Sequence, residues 1–266
     1  MIKLVVSDLD GTLLHNDKSL PTGLGKMIDE LALRGVTFAL ATSRDLSVIR
    51  KSFSPYVGRM AVICSNGCIL AVNDDVKYVY TLSDGELDYL LEAASRVEGL
   101  YPVFCGLKNG YYIDEDPRFV KTLLRYCENP VHVENAAEAR TQDRFNRISF
   151  YDVVDPIKNG MEKMQSVTDV FILTPSGDGW LDTVRKGQDK GVGLKRLQDM
   201  LGIRKEETLC FGDYHNDAGL MEHCDYSYAM KNAHPDLKSL CRYETRLTNE
   251  EDGVIDTVAS LFGFEA

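Results

Sequence analysis

Residues 2–14 read Ile2-Lys3-Leu4-Val5-Val6-Ser7-Asp8-Leu9-Asp10-Gly11-Thr12-Leu13-Leu14. The run 2–7 is short, apolar and halted by an acidic residue. It predicts a strand buried on both faces, as parallel strands are. Working outward, residues 21–34 put Leu24, Met27, Ile28 and Leu31 at helical spacing, with Gly35 where a helix ends. Residues 36–41 form a second apolar run, closed by Thr42-Ser43-Arg44-Asp45. Residues 45–53 read as a helix and 61–64 as a third strand. Strands alternating with helices indicate βαβ units and a parallel sheet.

The alternation breaks after about Ser83. Residues 85–97 predict a helix, with Leu87, Leu90, Leu91 and Ala94 on one side. Strands and turns follow through Asn109-Gly110, then strand, helix and strand over 146–151, 156–164 and 170–173. A turn at 177–179 leads into a strand over 180–184. Regular alternation returns at Gly191: a helix over 192–201, a fourth apolar run over 208–211 ahead of Asp213, and helices over 216–223 and 252–262. The expectation is an α/β chain with a second domain inserted into the first, the insert spanning 83–186 and the outer domain 1–82 with 187–266.

The 266 residues are 44% hydrophobic and 27% charged, a balance that supports a sizeable core. With 30 basic and 41 acidic residues the formal net charge is −11. That surface argues against nucleic acid and against anionic membranes. Any phosphorylated ligand therefore needs positive charge supplied locally, for instance by a metal ion. The seven cysteines have no C-x-x-C spacing, and Cys64 and Cys210 lie in apolar runs, so they read as small buried hydrophobes. The start is too short for the apolar core of a secretion signal, and no run of about 18 apolar residues occurs. A cytoplasmic, reducing environment is the expectation.

In a parallel sheet, ligands sit beyond the carboxyl ends of the strands. Asp8 and Asp10 are placed there. One carboxylate can attack as a nucleophile while the other moves protons; equally, both can satisfy backbone amides in a turn that Gly11 permits. Asp213 follows another strand, in Gly212-Asp213-Tyr214-His215-Asn216-Asp217. Acidic groups gathered from several strand ends make an oxygen site suited to Mg²⁺. Thr42 and Ser43 can donate hydroxyl hydrogen bonds to phosphate or cap the following helix. Lys190 can hold a phosphate as a point charge. His215 reads as a loop residue near the rim.

Asp8-Leu9-Asp10-Gly11-Thr12, Thr42-Ser43-Arg44, Lys190-Gly191 and Gly212-Asp213-x-x-Asn216-Asp217 occur in that order. Together they resemble the four motifs of the haloacid dehalogenase superfamily. The long insert and Ala229-Met230-Lys231-Asn232-Ala233 are similar to its Cof-type phosphatases with a C2 cap, of subfamily IIB. The resemblance covers essentially the whole chain. It implies a Rossmann-like parallel-sheet core with an inserted α/β cap, and Mg²⁺-dependent hydrolysis of a small phosphorylated metabolite through a phospho-aspartate. Asp8 would be the nucleophile and a metal ligand. Asp10 would be the acid–base and would offer its backbone carbonyl to the metal, and Asp213 would complete the ligands. Leu9, Thr42, Ser43, Lys190 and Asn216 would hold the phosphoryl group, with Asp217 supporting the metal site or Lys190. Ser43 stands where relatives often have Gly.

Candidates to contact the remainder of the substrate are Arg44 in the core and Lys108, Asn109, Tyr111, Tyr112, Arg144 and Arg147 in the insert; equally, a tyrosine at a strand end is a packing residue and an arginine a solvated one. The sequence does not choose among sugar phosphates, nucleotides and phosphorylated vitamins. Two other readings share this pattern: a phosphomutase similar to the phosphomannomutases, and a phosphate-sensing regulator without turnover. Retention of both Asp8 and Asp10 argues against the regulator.

Overall fold

The structure is a computed structural model that describes residues 1–127, 129–176 and 179–265. In chain order the strands begin with β1 (Leu4–Ser7), β2 (Thr37–Ala41), β3 (Ala61–Cys64), β4 (Ile69–Val72) and β5 (Asp75–Val79). Next come β6 (Leu100–Gly106), β7 (Gly110–Tyr112), β8 (Val131–His132), β9 (Phe145–Asp152), β10 (Phe171–Ser176) and β11 (Trp180–Arg185). The last are β12 (Thr208–Gly212), β13 (Tyr226–Ala229) and β14 (Tyr243–Glu244). The helices are α1 (Leu24–Leu33), α2 (Leu46–Ser52), α3 (Asp84–Ala94), α4 (Pro117–Tyr126), α5 (Ala136–Gln142), α6 (Lys190–Leu201), α7 (Ala218–Glu222), α8 (Pro235–Leu240) and α9 (Gly253–Phe262). The chain divides into two units, Met1–Val79 with Gln188–Ala266, and Tyr80–Gly187.

The first unit is a Rossmann-like α/β fold. Its sheet has the order β14-β13-β12-β1-β2-β3-β4-β5. The strands from β14 to β3 are parallel, and β4 and β5 add an antiparallel hairpin at one edge. β1 is buried along its whole length. On one face Leu4 and Val6 pack with Ala39, Ile63, Cys210 and, from α6, Leu194 and Leu197. In register Ser7 stands opposite both Phe211 and Leu40, so β1, β2 and β12 reach their carboxyl ends together. That alignment brings Asp8, Thr42 and Asp213 to one edge of the sheet.

The second unit is a six-stranded sheet of order β10-β11-β9-β6-β7-β8, antiparallel except for the pair β7–β8. Leu87, Leu90 and Ala94 of α3 cover one face against Phe104, Phe145 and Phe150. On the other, Phe119 and Leu123 of α4 pack with Val103 and Trp180. α3 begins in a capping box in which Ser83 and Glu86 satisfy each other's backbone N–H groups. The helix expected over 156–164 is present, wound as a π-helix at Pro156–Met161. There the buried amide of Asn159 is drawn to the Glu98 carbonyl and the Asp152 carboxylate. Gly177 and Asp178, in the turn expected over 177–179, lie outside the described residues. Among the described residues no disulfide forms and no helix is long and apolar enough to cross a membrane.

Candidate active site

Asp8 continues the ladder of β1: its N–H donates to the Phe211 carbonyl at 3.1 Å. The chain then turns at Gly11, whose φ is +83°. A Cβ there would lie 2.2 Å from Asp213 Oδ2, so only glycine lets the two acidic segments approach this closely. Thr12 closes the approach by donating its hydroxyl to Asp213 Oδ1 at 3.2 Å. Lys190 opens α6 after Asp189, which caps the helix by accepting the Val192 N–H. Gly191 lets α6 sit directly on Gly219 of α7, where a Cβ would be 2.3 Å from the Gly219 carbonyl oxygen.

The ammonium of Lys190 therefore lies inside the protein. It donates to Asp8 Oδ1 at 2.6 Å and to Asp217 Oδ1 at 2.7 Å. Lys190, Asp8 and Asp217 are 1%, 5% and 0% exposed, so water contributes little to their solvation. Asp217 also accepts the backbone N–H groups of Asp213 and Tyr214, at 3.0 and 3.2 Å. One carboxylate thus fixes both the lysine and the loop after β12.

Oxygen atoms of Asp8, Asp213 and Asp217 lie within 4.8 Å of one another. A single buried ammonium faces these three carboxylates, and the electrostatics record the imbalance. Burial, and then the charge of Asp217, push Asp8 well above the ordinary carboxylate range despite Lys190. Burial and Asp217 raise Asp213 to about 6. For Lys190 burial opposes the charge, but the adjacent Asp217 and Asp8 outweigh it and raise its pKa. A hard divalent cation would relieve this excess of negative oxygen, so the donor set fits one.

Asp10 has a different environment. Its carboxylate receives Arg44 Nε at 2.9 Å and Nη2 at 2.6 Å, in a two-pronged contact, and Lys18 Nζ at 2.8 Å. Burial works to raise its pKa, yet the hydrogen bonds and charges of Arg44 and Lys18 prevail and lower it. Arg44, expected near the substrate, is placed on Asp10. Lys18 was missed: a lysine in the polar loop 15–19 carries no signal of its own, and its φ of +70° emerges only in the fold.

Thr42 is buried at the end of β2, and its hydroxyl oxygen accepts the Arg44 N–H at 3.1 Å. The cap of α2 is Asp45, not Thr42 or Ser43. Ser43 and Asn216 are exposed. Leu9 is buried, and its carbonyl accepts the N–H groups of Thr12, Leu13 and Leu14. The remaining expected residues belong to the second unit. Tyr111 is buried in its core, edge-on to Phe145, which removes it from the surface. Tyr112 is half-buried with its ring against Phe119 and His132. Arg144 is exposed, and Arg147 lies on β9 opposite Cys105. Lys108 and Asn109 are exposed, and their backbone N–H groups donate to Asp143.

Residues 5–258 match the sequence model of the haloacid dehalogenase-like hydrolases. The chain belongs to that family. Among its relatives, the 5-amino-6-(5-phospho-D-ribitylamino)uracil phosphatase YbjI of Escherichia coli K12 is 24% identical, over 100% of this chain and 98% of the relative. The phosphatase YwpJ of Bacillus subtilis 168 is 26% identical, over 95% of this chain and 97% of its own. The solved haloacid dehalogenase-like hydrolase of Bacteroides thetaiotaomicron superposes with a TM-score of 0.83 at 22% identity, covering 98% of this chain and 100% of that one.

Proposed function

We propose that this hydrolase is a phosphatase that releases phosphate from a small phosphorylated metabolite, with Asp8 as nucleophile and Mg²⁺ as its cation. The observation that carries the reading is the buried centre: Asp8 beside Lys190, with Asp213 and Asp217 within reach of a shared ion. Mg²⁺, held by Asp8, Asp213 and the Asp10 backbone carbonyl, would neutralise phosphoryl oxygens that otherwise repel the acidic cluster.

The chain's own groups do the rest. An Asp8 carboxylate oxygen attacks phosphorus and the bond to the leaving oxygen breaks. Lys190 balances negative charge on the phosphoryl oxygens, with Thr42, Ser43, Asn216 and the Leu9 backbone as further hydrogen-bonding groups. Asp10 gives a proton to the departing oxygen. It then takes one from the water that attacks phosphorus and frees Asp8. The clamp of Arg44 and Lys18 suits the second step, since it favours a carboxylate able to accept a proton. Giving a proton in the first step requires Asp10 to release at least one of these cations.

The unit 80–187 supplies the selectivity in this reading, through Tyr112, Arg144 and Arg147, because the motif residues contact only what all phosphomonoesters share. The test is a screen of phosphorylated sugars, nucleotides and ribityl pyrimidines in ¹⁸O-labelled water, with Mg²⁺ or with chelator. Expected is phosphate carrying the label, abolished by chelator. Isomerised sugar phosphate without release would mean a mutase. Alanine variants of Tyr112, Arg144 and Arg147 run alongside should include one that lowers kcat/KM on the best metabolite about tenfold or more while sparing p-nitrophenyl phosphate.

A further inference from the structure

The loop that carries Asp213 contributes one side chain to a second cluster with the donor atoms of a metal site. His215 lies in the turn His215–Asp217 that follows β12. His234 and Asp236 lie at the start of α8, after β13. The His234 N–H donates to the Asp213 carbonyl at 2.8 Å, which fastens the two segments together. The imidazoles of His215 and His234 approach to 4.4 Å between ring centres, and Tyr214 packs edge-on against both. Ligating atoms of His215, His234 and Asp236 lie within 4.8 Å of one another.

The three side chains approach one another without hydrogen-bonding to each other. His215 Nε2 is 3.9 Å and His234 Nδ1 3.6 Å from Asp236 Oδ2. Both are too long for a hydrogen bond. They are close to the separation of about 3.3 Å that two ligands have when each is about 2.0–2.1 Å from one tetrahedral ion. The His234 Nδ1 lone pair caps α8 by accepting the Asp236 N–H at a long 3.3 Å, a weak bond that an ion at Nδ1 would replace. The side chains of His215, His234 and Asp236 are 50%, 38% and 71% exposed, so rotation can take up the remaining few tenths of an ångström.

We propose that His215, His234 and Asp236 bind one divalent transition cation of the zinc, cobalt and nickel class, at a site separate from the Asp8, Asp213 and Asp217 cluster. The donors decide the class. Two imidazoles and a carboxylate favour borderline-soft ions, whereas three carboxylates favour hard ones such as Mg²⁺. Three protein ligands leave further coordination positions to water or to an anionic ligand. The chain's net charge of −11 draws cations towards the surface. His215 lies between Asp213 and Asn216, and His234 holds the Asp213 carbonyl, so the bound ion fastens the loop that presents both residues.

The experiment uses the full, untagged chain, stripped of metal and then held in millimolar Mg²⁺. Co²⁺ is titrated and read by its visible absorption, and Zn²⁺ is titrated by calorimetry. Wild type should take up one equivalent of either. His215→Ala and His234→Asn should each weaken uptake about tenfold or more, since even groups behind the ligands of a metal site are worth 10–100-fold. Asp213→Asn should leave it in place. Thermal melts of the variants, whose altered side chains are part-exposed, confirm folding. The proposal is overturned if wild type takes up neither ion below roughly 1 mM. It is equally overturned if uptake survives in a His215→Ala, His234→Asn double variant but vanishes in Asp213→Asn. Neither result bears on the phosphatase reading, which rests on other residues.

Discussion

Both units bury carboxylates, and they treat them in opposite ways. In the second unit Asp152 accepts the N–H groups of Val154 and Asp155 and the amide of Asn159. Asp143 likewise accepts the N–H groups of Lys108 and Arg144. Each is a structural acceptor that holds a loop. In the first unit Asp8, Asp213 and Asp217 face one another across a single buried ammonium. A buried acid is therefore not in itself a sign of chemistry. The sign is a set of acids whose mutual repulsion the protein leaves uncompensated, because that arrangement has work for a cation and a phosphoryl group.

The comparison breaks most visibly at Asp8. Asp8→Asn keeps the shape and removes the oxygen anion proposed to attack, and phosphate release should fall by about 10⁴–10⁶-fold. Near-normal turnover would mean that the centre has another nucleophile. Next in size is Lys190→Met, which strands Asp8 and Asp217 without their counter-charge. Urea denaturation should register a loss of about 3–5 kcal/mol. Asp152→Ala is the matching change in the second unit. It should cost about 1–3 kcal/mol, from N–H groups left without an acceptor, and leave kcat of the folded protein unaltered. A large drop in kcat there would erase the distinction between the two kinds of buried acid.

The smallest effect is a pH dependence. Asp213 has a folded pKa of about 6, raised by burial and by Asp217, against an ordinary value of 3.8. The native state thus holds this proton more tightly than the unfolded chain does. Its contribution to stability is full below pH 4 and is lost as pH rises through about 6. Discounted for part exposure, the loss is on the order of 1–2 kcal/mol. Chelated wild type should lose that much more stability than Asp213→Asn between pH 4 and 7.5, and saturating Mg²⁺ should remove the difference. Equal slopes without metal would mean that the cluster is already neutralised.

The sequence by itself determined the parallel sheet, since runs such as Leu4–Ser7 and Thr208–Gly212 are apolar on both faces and stop at polar residues. It also put Asp8, Asp10, Thr42 and Asp213 at strand ends, because parallel strands joined by helices must end on the same side. Weaker local signals were passed over. Asp116-Pro117 is a cap followed by proline that starts α4, and the hairpin β4–β5 lies in a stretch to which no element was assigned. What tertiary structure alone decided is which charge meets which. Lys190 joins Asp8 across 182 positions and Asp217 across 27. Arg44 and Lys18 converge on Asp10, Tyr111 disappears into a core, and His215 meets His234 and Asp236. Local periodicity records which face of an element is buried. It holds no record of the partner, because that depends on how far each strand and helix is carried before its end comes to rest beside another.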